Sequence, residues 1–167
     1  FAPILKPKIV VGQIGERQKV LEAAMEDEET AVIISSYPLI HRDVGHYKKY
    51  FFNSIILDES QNIKNINTKT SRAIKHLQSE NIIALSGTPI ENNLNELWAL
   101  FSTVQPGLFK SQKDFANLSA EEISRKISFF ILRRLKDEVL QDLPPKTETE
   151  QFIELSEDQK RMYQVQL

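Results

Sequence analysis

Four short apolar runs constrain what this chain can fold into: Lys8-Ile9-Val10-Val11, Ala31-Val32-Ile33-Ile34-Ser35-Ser36-Tyr37, Ile55-Ile56-Leu57 and Ile82-Ile83-Ala84-Leu85. Each has strand length and β-branched content, and none shows strict alternation of apolar and polar residues. Continuous runs of this kind belong to parallel strands buried on both faces. Helical patterns separate them. Residues 16–29 place Val20, Leu21, Ala24 and Met25 on one face; residues 39–50 offer Leu39, Ile40, Val44, Tyr47 and Phe51 as an inner face; residues 68–79 turn Ala73, Ile74 and Leu77 inward. The alternation predicts an α/β fold with a parallel sheet and helices on both faces, a three-layer αβα arrangement. Helical crossovers then bring the strand ends Ser35-Ser36-Tyr37, Asp58-Glu59-Ser60-Gln61 and Ser86-Gly87-Thr88 to one edge of the sheet.

The middle tip carries the chemistry. Ile55-Ile56-Leu57 stops abruptly at Asp58-Glu59. Two unpaired carboxylates are costly to bury, so they face solvent or a cation. An acidic pair at the carboxyl end of a strand can hold Mg²⁺ with one group and polarise an attacking water with the other. A solvated turn fits the pair equally well. Two further polar tips beside it favour a site.

Elsewhere the reading is mostly structural. Glu26-Asp27-Glu28-Glu29 opposes the dipole of the helix it ends, so that end frays into a solvated turn. Pro38 stops the second strand. Thr88-Pro89-Ile90-Glu91 fits a capping box with Pro in the first turn. The helix after it repeats Leu94, Leu97, Trp98 and Phe101, which makes Trp98 a core residue. Gln105-Pro106-Gly107 closes that region, and residues 120–127 read as a helix. Phe129-Phe130-Ile131-Leu132 with Arg133, Arg134 and Lys136 is an apolar block with a basic edge. Leu143-Pro144-Pro145-Lys146 is a linker, residues 147–155 read as a strand, and Ser156-Glu157-Asp158-Gln159 is a capping box for a terminal helix.

Composition excludes several classes. There is no Cys, so disulfides and thiolate metal sites are out. His41, His46 and His76 have no metal-ligand spacing. No apolar run approaches the roughly 18 residues of a membrane span, so no membrane partner is expected. A net charge of −2 argues against autonomous nucleic-acid binding but leaves room for a local basic face.

Taken in order, these blocks resemble the Swi/Snf-type branch of the superfamily-two helicase-like ATPases. The matching residues are Ser35-Ser36-Tyr37 with Leu39 and Asp43; Ile56-Leu57-Asp58-Glu59-Ser60-Gln61-Asn62-Ile63-Lys64-Asn65; Ala84-Leu85-Ser86-Gly87-Thr88-Pro89-Ile90-Glu91-Asn92-Asn93-Leu94 with Glu96-Leu97-Trp98; and Phe130-Ile131-Leu132-Arg133-Arg134-Leu135-Lys136 with Val139 and Leu143-Pro144-Pro145-Lys146. The resemblance implies two RecA-like (P-loop NTPase) domains that bind ATP between them and translocate along double-stranded DNA. It casts residues 1–108 as the latter part of the first domain, 109–146 as a short helical protrusion and brace, and 147–167 as the start of the second.

It also assigns roles. Asp58 holds Mg²⁺, Glu59 is the general base and contacts the nucleotide side, and Gln61 senses nucleotide state. Ser86, Gly87 and Thr88 couple the ATP site to the partner domain. Ser36, Tyr37, Lys64 and Asn65 lie by the DNA track, and Phe130-Ile131-Leu132 packs. ATP and Mg²⁺ are the implied cofactors; double-stranded DNA and a DNA-bound protein are the implied partners. The implied location is the cytoplasm or nucleoid of a bacterium, or the nucleus of a eukaryote.

The pattern is also incomplete. No Gly-x-x-x-x-Gly-Lys-[Ser/Thr] loop occurs within these residues. The resemblance places that loop before residue 1, and an arginine finger after residue 167. These residues alone are therefore expected to be inactive, and an exposed sheet edge should favour self-association. A non-hydrolysing, degenerate RecA-like module that binds DNA or protein is the alternative reading.

Overall fold

The computed structural model describes residues 3–87, 94–134, 138, 149–151 and 155–166. The chain divides into two compact units, Phe1–Phe129 and Phe130–Leu167. The first contains β1 (Lys8–Ile9), α1 (Ile14–Glu26), β2 (Ile33–Ile34), α2 (Tyr37–Tyr47), β3 (Phe51–Leu57), α3 (Lys69–Lys75), β4 (Gln78–Ala84), α4 (Leu94–Val104), α5 (Gln112–Ala116) and α6 (Ala120–Ile127). Of the second unit, α7 (Glu157–Gln166) is the main described element. The Ser156 capping box is present there: Ser156 N donates to Gln159 Oε1 at 3.0 Å and Gln159 N to Ser156 Oγ at 3.4 Å.

Strands and helices alternate, and the ladders are parallel. β1 pairs with β2 from Lys8↔Ile33, and β3 pairs with β4 from Phe51↔Gln78 to Leu57↔Ala84. The sheet is two parallel pairs, β1-β2 and β3-β4. A cavity of about 770 Å³ lies between β2 and β3, lined by Ile33, Ile34, Phe52 and Ile55 and by Ile40 and Tyr47 of α2.

The expectation of strands buried on both faces fails at this point. Successive strand residues point to opposite faces. Ile55 and Leu57 of β3 and Ile82 and Ala84 of β4 join Ile63 and Ile74 in one core cluster. Ile56, one residue out of phase, is 63% exposed, and Ile83 and Leu85 are also exposed. The apolar runs are continuous, yet only alternate residues find packing partners among the described residues.

Element boundaries shift for local reasons. Pro38 does not cap a long strand: β2 ends at Ile34, and Pro38 sits in the first turn of α2, where its missing N–H costs nothing. Phe51, expected on the helix's inner face, opens β3 and is exposed. The turn at Lys48, Lys49 and Tyr50 breaks the helical period before it reaches that residue. Gln78 and Ser79, expected in a helix, begin β4 opposite Phe51 and Phe52. Helix α1 ends at Glu26. Beyond it, Asp27 accepts from Glu29 N at 3.0 Å and from Thr30 Oγ1 at 2.8 Å, so the acidic run forms a local turn.

Helix α3 is short and depends on its cap. Thr68 Oγ1 accepts from Ser71 N at 3.1 Å. Seven residues are too few to hold a helix by propensity alone. Thr68→Ala is expected to cost about 1 kcal/mol of stability, measured as a shift in denaturation midpoint with an unchanged slope.

Helix α4 joins two cores. Leu100 packs against the Leu57–Ile63–Ile74 cluster, while Leu97 and Phe101 bury against Phe109, Phe115 and Ile123. Trp98 packs beside this second cluster, its ring centroid 5.7 Å from Phe115. Phe109 and Phe115 meet edge to face at 4.8 Å, a favoured aromatic geometry. Trp98 is thus a core residue, as expected, whereas Leu94 is half exposed. Phe130, Ile131 and Leu132, expected to pack, are exposed. The expected cap at Thr88-Pro89-Ile90-Glu91, Lys136 and the Pro144-Pro145 linker lie outside the described residues, as does most of the strand expected at 147–155.

Candidate functional site

The site forms where β3 and β4 end. The ladder continues one step past β4: Leu85 N donates to Leu57 O at 2.8 Å, and Ser60 N returns a bond to Leu85 O at 2.8 Å. This stitch carries Ser86 over the turn that follows β3. A 3₁₀ turn, Ser60–Ile63, leads out of that turn. Ile63 is fully buried and Ser60 nearly so, which pins the turn to the core. A small residue is required at position 60 because that position is buried beneath the loop.

Asp58 and Glu59 occupy the turn and are both exposed. Glu59 has φ 47 and ψ 54, the left-handed region. A non-glycine residue there costs about 1–2 kcal/mol. Besides the Ser60–Leu85 bond, and Asn62 N donating to Glu59 O at 3.1 Å, side-chain hydrogen bonds hold the conformation. Glu59 N donates to Asp58 Oδ1 at 3.0 Å, Asn62 Nδ2 donates to Glu59 O at 2.8 Å, and the Tyr37 hydroxyl donates to Asp58 O at 2.7 Å. Strain retained at an acidic tip is a mark of a functional turn.

The side chains form a relay. Gln61 Nε2 donates to Glu59 Oε2 at 2.6 Å, and the Ser86 hydroxyl donates to Gln61 Oε1 at 3.2 Å. All three expected tips therefore meet: Tyr37 from the end of the β2 segment, Asp58 to Gln61 after β3, and Ser86 after β4. Burial pushes the Tyr37 phenol above its usual pKa, and the Asp58 and Glu59 carboxylates push the same way, so it remains a donor at neutral pH.

The remaining expected residues fall differently. Ser36 is exposed at the start of α2 and makes no side-chain cap bond. Lys64 Nζ pairs with Glu96 Oε1 of α4 at 3.2 Å. Asn65 Oδ1 accepts from Asn67 N at 2.9 Å, and its carbonyl accepts from Thr68 and Ser71, so it shapes the entry to α3. Gly87 has open space where a Cβ would sit. Thr88 lies outside the described residues.

A fit for Mg²⁺ can be judged from the donors. Among the described residues no group of three or more His, Cys, Asp or Glu side chains converges. One exposed carboxylate, Asp58, offers an oxygen beyond the one its own turn uses. Mg²⁺ commonly takes one or two carboxylates and completes its shell with water and substrate phosphates, so the tip suits it only together with a nucleotide.

One important pair escaped the sequence reading as a pair. Asp43 of α2 and Arg17 of α1 are both buried. Arg17 Nε and Nη2 reach Asp43 Oδ2 and Oδ1 at 2.6 and 2.8 Å, and Arg17 Nη1 donates to Gly12 O at 2.6 Å. The signal was available: Asp43 sits on the apolar face with Leu39, Ile40 and Tyr47, so it had to have a buried partner. Nothing in the sequence named Arg17 as that partner.

The architecture and the acidic tip define part of a RecA-like α/β domain. The comparisons narrow this. Residues 2–167 match the model of the SNF2-related domain, and the chain belongs to that family. It is 38% identical to the putative ATP-dependent helicase/translocase YwqA of Bacillus subtilis, over 98% of this chain and 19% of that protein. It is 34% identical to the TATA-binding protein-associated factor mot1 of Schizosaccharomyces pombe, over 97% of this chain and 9% of that protein. Among solved structures, the Sulfolobus solfataricus SWI2/SNF2 ATPase core in complex with double-stranded DNA superposes with a TM-score of 0.72 at 35% identity, covering 99% of this chain and 36% of that one. The chain thus spans less than a fifth of these two curated relatives.

Among the described residues no helix is long and apolar enough to cross a membrane.

Proposed function

We propose that this chain is the acidic half of an ATP site in a motor that translocates on double-stranded DNA and remodels proteins bound there. The single observation that carries the reading is the joined tip: an acidic pair on a strained turn, tied on one side to Tyr37 and on the other, through Gln61, to Ser86. A solvated turn has no need of that network. The family supports ATP use, and the solved relative bound to DNA supports the choice of track.

In this reading Asp58 binds Mg²⁺ and Glu59 orients and deprotonates the attacking water. Bound Mg²⁺ supplies charge neutralisation at the phosphate oxygens. Gln61 holds Glu59 in place and registers changes at Ser86, which with Gly87 and Thr88 links the site to a partner domain. Ser36, exposed at the start of α2, faces the DNA track; Lys64 and Asn65 lie further along it. The division at residues 1–108, 109–146 and 147–167 follows the same reading, as does a location where DNA is found.

The phosphate-binding loop and the arginine finger are supplied from outside these residues. An arginine finger alone is worth about 10³–10⁵ in rate. Residues 1–167 by themselves are therefore expected to show no ATP hydrolysis, with self-association through the exposed strand edges. The full-length gene product is expected to hydrolyse ATP faster when double-stranded DNA is added. Phosphate release measured with and without DNA checks both. Turnover by residues 1–167 alone, or no response of the full-length protein to DNA, would sink the proposal.

A further inference from the structure

The family resemblance places Tyr37 by the DNA track, yet its hydroxyl is engaged inside the site. It donates to the main-chain oxygen of Asp58 at 2.7 Å. That carbonyl belongs to the peptide joining the two carboxylate residues. We propose that Tyr37 is a positioning residue for hydrolysis, fixing the Asp58–Glu59 peptide so that the turn presents the Glu59 carboxylate in one orientation. The inference rests on the reading of Glu59 as general base.

The geometry carries it as follows. Glu59 at φ 47 lies outside the wells a glutamate prefers. Relaxing to negative φ rotates the peptide plane and turns the Asp58 carbonyl away from its donor. Of the bonds that oppose this, those from Glu59 N, Asn62 N and Asn62 Nδ2 arise within the turn. Two come from separate elements: Ser60 N is tied to Leu85 O past β4, and Tyr37, 21 residues earlier in the chain, holds the Asp58 carbonyl itself.

That element is well anchored. Ser36 O accepts from Leu39 N and Ile40 N, both at 3.0 Å, and Pro38 stiffens the first turn of α2. The Tyr37 ring packs against the Leu57–Ile63–Ile74 cluster, and Asp43, further along the helix, is gripped by Arg17. The hydroxyl is thus placed by packing on a rigid helix, as precise positioning requires.

Tyr37→Phe separates positioning from folding. It keeps the ring and its packing and removes one donor. The Asp58 carbonyl is at an exposed tip, so water can replace the lost bond and stability should hold. In the full-length gene product with saturating double-stranded DNA, Tyr37→Phe is expected to lower kcat about five- to tenfold. KM for ATP, the DNA concentration for half-maximal stimulation and the Tm should stay at wild-type values.

A kcat within twofold of wild type would overturn the proposal. So would a raised half-saturating DNA concentration with kcat intact, which would make Tyr37 a DNA contact instead. Glu59→Gln, measured in parallel, keeps the two readings apart. If it is inactive while Tyr37→Phe matches wild type, the tyrosine inference alone fails. If it still hydrolyses ATP, the general-base reading fails and takes this inference with it.

Discussion

Glu59→Gln in the full-length gene product is expected to lower ATP hydrolysis by about 10²–10⁴-fold and to leave ATP binding intact. The amide keeps the size of the side chain and a possible hydrogen bond with Gln61, but it cannot take a proton from water. Glu59 is exposed, and the bond that its carboxylate accepts from Gln61 Nε2 is one that an amide oxygen can also accept. The backbone conformation there is unfavourable for glutamate and glutamine alike, so the substitution adds no new strain. Single-turnover hydrolysis and equilibrium nucleotide binding, measured on the same preparation, give the two quantities. Hydrolysis within tenfold of wild type would remove Glu59 from the role of base. Loss of binding together with hydrolysis would mean that the carboxylate serves to hold the turn or the nucleotide.

The parts of this architecture that were legible in the sequence share a physical cause: a local signal strong enough to survive tertiary context. The end of β3 was legible because an apolar run that packs one face on a core cannot continue into two carboxylates. The start of α7 was legible because Ser156 and Gln159 satisfy each other's backbone groups within one turn. The convergence of three polar tips followed from the handedness of helical crossovers, and the bonds from Tyr37 to Asp58 and from Ser86 to Gln61 realise it.

Other features were hidden because their causes are not local. An apolar run does not state how many of its faces will find a neighbour, so Ile56 and Ile83 read as buried and are exposed. The helical period running through Tyr47 to Phe51 is accidental, and the turn between them breaks it. Gln78 and Ser79 are polar strand residues whose place is set by the register with Phe51 and Phe52. Left-handed Glu59 carries no signature at all, since the turn is held by Asp58, Asn62 and the distant Tyr37 and Leu85 rather than by a glycine.

Arg17→Ala is expected to lower the Tm of the full-length protein's SNF2-related domain by about 10 °C. The mutation removes a packed side chain, but the larger effect is on what remains. Asp43 is 4% exposed, so without Arg17 it is a buried charge that has lost its hydrogen-bonded counter-ion and keeps only the weaker pull of His46 and Arg42. Both charged nitrogens facing it are lost together, and Gly12 O loses its donor as well. The paired change Arg17→Met with Asp43→Leu is expected to recover much of the loss, because it removes the buried charge instead of stranding it. Recovery by the double variant would locate the cost in the uncompensated carboxylate; no recovery would locate it in the shape of the clamp. The pH dependence has a definite sign. The hydrogen bonds from Arg17, opposed by burial and reinforced by its charge, hold the Asp43 carboxyl below its usual pKa. Its contribution to stability is therefore full above the ordinary aspartate range and fades as pH falls through the lowered value. The Tm difference between wild type and Arg17→Ala should accordingly be constant near neutrality and narrow in acid. A difference that persisted unchanged below pH about 3 would show that the pair contributes through packing alone.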